Sequence, residues 1–203
     1  MNIFIVRHAI SEANTNQLFS GRRDVPLAKE GIIQAQKLCD YFTANYSADK
    51  VFYSGLSRTR DTVLPICKKL NLTPEVMRDF VEIDVGEWEG VKYNEVKERY
   101  PEEMKVWREN IGAVNCPGGE SMAKVYERAC SGLLKICESE KDGANILIAT
   151  HGGVIRCLRA FACGVPLDKM YTVDWVNNAS LSLITYENGR INPVFFGTDD
   201  YLI

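Results

Sequence analysis

The chain contains two histidines, His8 and His151. Each sits one residue past a short, β-rich apolar run: Asn2 to Val6 (NIFIV) before Arg7-His8, and Asn145 to Ala149 (NILIA) before Thr150-His151. A continuous apolar run of this kind reads as a central strand buried on both faces. Ligands of open parallel sheets bind beyond the carboxyl ends of the strands. If the two strands are neighbours, both imidazoles reach one crevice. A neutral imidazole can act there as a nucleophile or an acid–base group near neutral pH. Arg7 stands beside His8, and Arg58 follows a third short strand, Val51 to Ser54. Either arginine alone reads as a solvated surface residue. Beside the histidines, two guanidiniums point to an oxyanion, because arginine matches phosphate bidentately.

Helical patterns alternate with these strands. Gly31 to Tyr46 and Thr59 to Leu70 carry apolar residues at helical spacing, as do Ser121 to Glu138 and Val154 to Cys163. Ser180 to Tyr186 and Asn192 to Phe196 fit two late strands. Alternating strands and helices predict an α/β fold: a mostly parallel central sheet with helices on both faces. Phe80 to Gly118 breaks the alternation. It holds Trp88, Trp107, a charged helix near Tyr93 to Tyr100 and a Pro-Gly-Gly turn. This segment reads as a helical insertion packed over one end of the sheet, within a single domain spanning residues 1–203.

The 203 residues suffice to bury a core without staples. The formal net charge of -3 gives no nucleic-acid footprint, so positive charge for an anion must be concentrated locally. The seven cysteines form no C-x-x-C pair and read as small buried hydrophobes in a reducing compartment. No run approaches the ~20 apolar residues that span a bilayer. The N-terminal run is too short for a signal-peptide core. The expected location is therefore cytoplasmic, with no membrane partner. No apolar stripe marks a dimer face.

Arg7-His8-Ala9-Ile10-Ser11-Glu12-Ala13-Asn14 resembles the R-H-G-x-[ST]-x-x-N signature of the histidine phosphatase superfamily, the phosphoglycerate-mutase-like fold. Further blocks follow in the family's order. They are Ser20-Gly21 with Asp24-Val25-Pro26-Leu27, Ser54 through Arg58 to Thr62, and Glu82 with Gly86-Glu87-Trp88-Glu89-Gly90. Pro117-Gly118-Gly119-Glu120-Ser121 and Thr150-His151-Gly152-Gly153 complete the series. One block is weak evidence; the ordered set, covering nearly the whole chain, is specific.

The resemblance implies a role for each matching residue. His8 would take the phosphoryl group. Arg7, Arg58 and His151 would surround its oxygens, and Asn14 would add a hydrogen bond. Glu82 would protonate the leaving alkoxide and then activate water. Ser20, Gly21, Arg23 and Gly152 would meet the substrate. Such an acid must hold its proton near neutral pH, which asks for partial burial of Glu82, near Trp88. Glu87 and Glu89 read as cap or surface charges, with Glu87 a substitute acid. No metal or cofactor is implied, and the partner would be a small-molecule phosphate ester.

Two positions depart from the family pattern. Ala9 replaces the usual glycine, which would put a methyl near the pocket. Ala28 stands where threonine is common, a helix-cap matter. The acid segment Glu82-Ile83-Asp84-Val85-Gly86 lacks the basic and aromatic pair of mutases. A phosphatase of the broad-specificity or α-ribazole branch is therefore favoured over a phosphoglycerate mutase. A non-catalytic phospho-ligand binder and a metallohydrolase are the remaining alternatives. The metallohydrolase is weak because the histidines lack tight ligand spacing.

Overall fold

A computed structural model describes residues 1–203. Six strands form one sheet: β1 (Asn2–Arg7), β2 (Lys50–Tyr53), β3 (Glu75–Val76), β4 (Asn145–Thr150), β5 (Leu181–Glu187) and β6 (Arg190–Thr198). Their order is β3-β2-β4-β1-β5-β6. The first four are mutually parallel, while β5 and β6 are antiparallel. The fold is thus the expected mostly parallel α/β sheet, with the two late strands as an antiparallel hairpin on one edge. At two residues, β3 is too short to carry a periodic signal in the sequence.

The apolar run of β1 is continuous because both of its faces are covered. Phe4 and Val6 point into one core with Leu38, Val63, Ile66 and Leu147. Ile3 and Ile5 point into a larger core with Val125, Leu133, Ile146 and Ile148. The two-residue period of a strand sorts them in this way. Helices α2 (Lys29–Asn45) and α3 (Ser57–Leu70) cover the first face. Helices α6 (Met122–Ser139) and α7 (Gly152–Ala162) cover the second. A four-residue helix, α1 (Glu12–Thr15), follows His8 and opens with a capping box between Ser11 and Asn14.

The insertion over 80–118 carries two helices rather than one. α4 (Tyr93–Arg99) ends where Pro101 opens α5 (Pro101–Glu109). Proline suits the first helical turn, where its missing N–H costs nothing. Trp88, Val96, Met104, Ile111 and Val114 join the same core as β1, β4, α6 and α7. The insertion therefore shares its packing with the sheet and is no separate unit.

Six of the seven cysteines are buried and all are free; Cys163 is exposed. Ala28 is the N-cap of α2 and makes no side-chain cap bond. No helix is long and apolar enough to cross a membrane.

Candidate active site

β1 and β4 are direct neighbours, with Arg7 opposite Thr150. The His8 backbone N–H continues the ladder, donating to Thr150 O at 2.9 Å. His8 and His151 therefore leave the same end of the sheet, and their ring centroids lie 5.2 Å apart.

Each ring has its tautomer set by its neighbours. His8 Nδ1 lies 2.8 Å from Ala9 O. A carbonyl only accepts, so Nδ1 carries the hydrogen and Nε2 keeps its lone pair. Burial, reinforced by Arg58 and then Arg7, pushes the His8 imidazole well below its ordinary value. The ring is thus neutral at physiological pH, with Nε2 able to attack an electrophile.

His151 Nε2 lies 2.8 Å from Ser54 Oγ, which lies 2.9 Å from Thr59 Oγ1. The Thr59 hydroxyl donates to Leu56 O at 2.7 Å. With that hydrogen committed, Ser54 donates to Thr59 and must accept from His151. The hydrogen of His151 is on Nε2, and Nδ1 is the free nitrogen. Burial first, then Arg58, His8 and Arg7, push this ring well below its ordinary value too.

Buried polar atoms without partners are rare in folded proteins, and two of this chain's flank His8. Arg7 Nη1 donates to Val176 O at 2.6 Å, while Arg7 Nε is buried and unpartnered. His151 Nδ1 is the other. Arg58 is 1% exposed, with Nη1 donating to Arg23 O at 2.8 Å and Nη2 to Gly21 O at 2.7 Å. Two buried guanidiniums, one with its Nε donor unused, beside a neutral imidazole can hold a phosphoryl group.

A cleft of about 580 Å³ opens beside this centre. Arg7, Asn14, Ser20, Glu82, Gly152 and Gly153 are among its walls. His8 and His151 sit next in the chain to Arg7 and Gly152, at the inner end. Glu82 is partly buried, and its Oε2 accepts from the Gly153 N–H at 3.2 Å. A side chain at Gly153 would start 2.6 Å from Glu82 Oε1, so glycine makes the room this carboxylate occupies. Trp88 is fully buried. Its ring packs on Phe19, Tyr100 and Trp107, where the aromatic cluster has a place for it.

Gly21 and Arg23 do not line the cleft. They hold Arg58 through their carbonyls, and the Arg23 side chain lies against Gly90. A side chain at Gly21 would meet Ile83 O at 2.2 Å. Asn14 is oriented by bonds to its Oδ1 from Ser11 N at 3.0 Å and Asn178 Nδ2 at 3.3 Å.

The Ala9 methyl is not in the pocket. Ala9 is fully buried against Leu27, Ala35 and Ala179. Its φ lies outside the left-handed region, so its backbone does not require glycine.

Several supporting residues were missed in the sequence. Glu89 is no surface charge: its carboxylate accepts from the backbone of Gly21 and Arg22, each at 3.0 Å. Arg128 on α6 donates to the carbonyls of Asp79, Val81 and Glu82 and pairs with Glu120 at 2.9 Å, clamping the loop that carries Glu82. Asn178 donates to His8 O at 2.9 Å. Glu89 was legible as a motif member, whereas Asn178 and Trp175 lie in a loop with no periodic or motif signal.

The family model for the histidine phosphatase superfamily (branch 1) matches residues 3–199. The chain belongs to that superfamily. Phosphoserine phosphatase 1 of Hydrogenobacter thermophilus is 33% identical over 94% of this chain and 89% of its own. Phosphoglycerate mutase-like protein 4 of Arabidopsis thaliana is 34% identical over 77% of this chain and 68% of its own. Among solved structures, the α-ribazole phosphatase from Shigella flexneri superposes with a TM-score of 0.86 at 25% identity, covering 98% of this chain and 96% of that one.

Proposed function

We propose that the protein is a metal-independent phosphomonoesterase acting on small-molecule phosphate esters through a phosphohistidine at His8. The observation that carries this reading is the neutral His8 ring, its Nε2 lone pair free, between the unpartnered Arg7 Nε and His151 Nδ1.

His8 Nε2 attacks phosphorus, and the ester P–O bond breaks. Glu82 gives its proton to the departing alkoxide. The Glu82 carboxylate then takes a proton from water, whose oxygen attacks phosphorus. The P–N bond breaks, releasing inorganic phosphate and neutral His8. Each step is easier than direct hydrolysis. The Arg7 and Arg58 guanidiniums, joined by His151 once a bound oxyanion favours its protonation, supply the charge stabilisation that phosphoryl transfer needs, so no metal is required.

The cleft walls favour hydrolysis over mutase chemistry. Arg7 is their one cation. A bisphosphate primer would set a second phosphate among walls that offer no further cation. The free, mostly buried thiols fit a reducing compartment, and we place the enzyme in the cytoplasm.

The test is phosphate release in EDTA from a panel including nitrophenyl phosphate, α-ribazole phosphate, phosphoserine and 3-phosphoglycerate. Release should persist in EDTA and vanish in His8→Ala. Loss in EDTA with recovery on adding metal would overturn the mechanism.

A further inference from the structure

The cleft continues well beyond the phosphoryl site, and its outer walls are aromatic. Phe19, Tyr93, Trp107 and Trp175 all line it. Phe19 stacks on Tyr93 at 5.5 Å and meets Trp107 edge-on at 5.4 Å. Trp107 faces Trp175 at 6.4 Å with 23° between the rings.

Trp175 is 45% exposed, yet it is held in place. The Arg156 guanidinium lies 4.7 Å from its ring centroid. Arg156 is itself buried and spends its Nε and Nη2 donors on the carbonyls of Met170 and Tyr171, which holds it against the ring. The ring's Cζ3 lies 3.3 Å from where a side chain at Gly152 would begin, close to Arg7. A large apolar face thus stands open in water beside the reacting centre, which marks a binding surface.

Charge narrows the occupant. Arg7 and Glu82 are the only ionisable cation and carboxylate in the walls, and both belong to the phosphoryl site. An alcohol carrying a carboxylate would bury that charge against the rings unpaired. A planar ring would stack on Trp175 at little entropic cost.

We infer that the preferred ester is that of an uncharged alcohol bearing an aromatic ring, seated on Trp175; this rests on the phosphomonoesterase reading. The test separates the two. Titration calorimetry compares 2-phenylethylphosphonate, butylphosphonate and 2-carboxyethylphosphonate, none of which turns over. Hydrolysis of 2-phenylethyl and butyl phosphate is followed in parallel, because their leaving alcohols are similarly basic.

The phenyl compound should bind at least about tenfold more tightly than either other phosphonate. Its ester should lead in kcat/KM by a similar factor. Trp175→Ala should bring the phenyl-to-butyl ratio to within about twofold, and Trp175→Phe should retain most of it. Equal binding of all three phosphonates overturns the inference, as does an equal loss for all three in Trp175→Ala. Selective binding without hydrolysis would keep the ring site and sink the phosphatase reading. Hydrolysis without selectivity would do the reverse.

Discussion

His151 Nε2 lies 2.8 Å from Ser54 Oγ, and that bond fixes where the second histidine keeps its hydrogen. Ser54→Ala should leave Nε2–H buried without a partner, at a cost of about 1–3 kcal/mol. The ring would then be free to move its hydrogen to Nδ1 or to turn. The expected result is a fall in kcat of about ten- to a hundredfold with little change in KM, as for a group that acts in the transition state. Nitrogen chemical shifts of the ring should show one tautomer in the wild type and a mixture in the variant. An unchanged tautomer beside a reduced kcat would mean that Ser54 acts otherwise.

A good part of this site could be read before the fold was known. The two strand-end histidines and Arg7 were visible because strand β1 is buried on both faces and so writes an unbroken apolar run. The supporting shell was not. Whether Glu89 faces solvent or the Gly21 backbone depends on the path of two loops 67 and 68 residues apart in sequence. Trp175 and Asn178 reach the site from a loop whose position is set by β5 pairing beside β1. Ala9 misled in the other direction. The family's glycine suggested a conformational demand, yet the observed φ suits any residue.

The free Nδ1 of His151 predicts proton uptake on binding. In the neutral ring it holds a lone pair, which would repel a phosphoryl oxygen. A bound oxyanion favours the protonated ring, whose Nδ1–H can donate. Binding of inorganic phosphate near pH 8 should therefore take up about one proton. The slope of calorimetric enthalpy against buffer ionisation enthalpy reads this number directly. A slope of zero would show that the ring stays neutral, leaving Arg7 and Arg58 to carry the charge.

Glu82 lines the cleft with its carboxylate on the Gly153 N–H, and the proposed mechanism has it protonate the departing oxygen. Glu82→Gln keeps the size and removes the proton. The loss should be about 10²–10⁴-fold for alkyl esters, the usual range for general acid catalysis. It should be slight for nitrophenyl phosphate, whose leaving group departs without help. Equal losses on both substrates would remove the general-acid role.

Acid should destabilise the fold through the same histidines. Both folded rings bind protons less readily than unfolded histidine, which titrates near ~6.5. Above that pH neither state is charged and stability is level. Below it the unfolded chain takes up protons first, so stability falls by up to about 1.4 kcal/mol per pH unit for each histidine. Glu120 adds a loss further down. Burial opposes its ionisation, but Arg128, the Asp84 N–H and Arg22 together hold it below the ordinary carboxylate range. Its contribution disappears as the pH falls through that lowered value. Urea midpoints at pH 7, 6 and 5 should decline in the wild type and decline less steeply in His151→Gln. A flat profile from pH 7 to 5 would mean that the rings titrate normally.

Ala9→Gly restores the residue usual in the family and should gain nothing in catalysis. The methyl fills a small core with Leu27, Ala35 and Ala179 beneath the His8 backbone. The Ala9 N–H, held at 2.9 Å by Thr62 Oγ1, and its carbonyl, held by His8 Nδ1, do not depend on the side chain. Removing the methyl loses that packing and adds backbone freedom to the unfolded chain. Together these should lower stability by about 1–2 kcal/mol. kcat should stay within about twofold, because the groups that set the His8 tautomer are unchanged. A rise in kcat would show that the methyl does reach the phosphoryl site and that the buried position of Ala9 gives way during turnover.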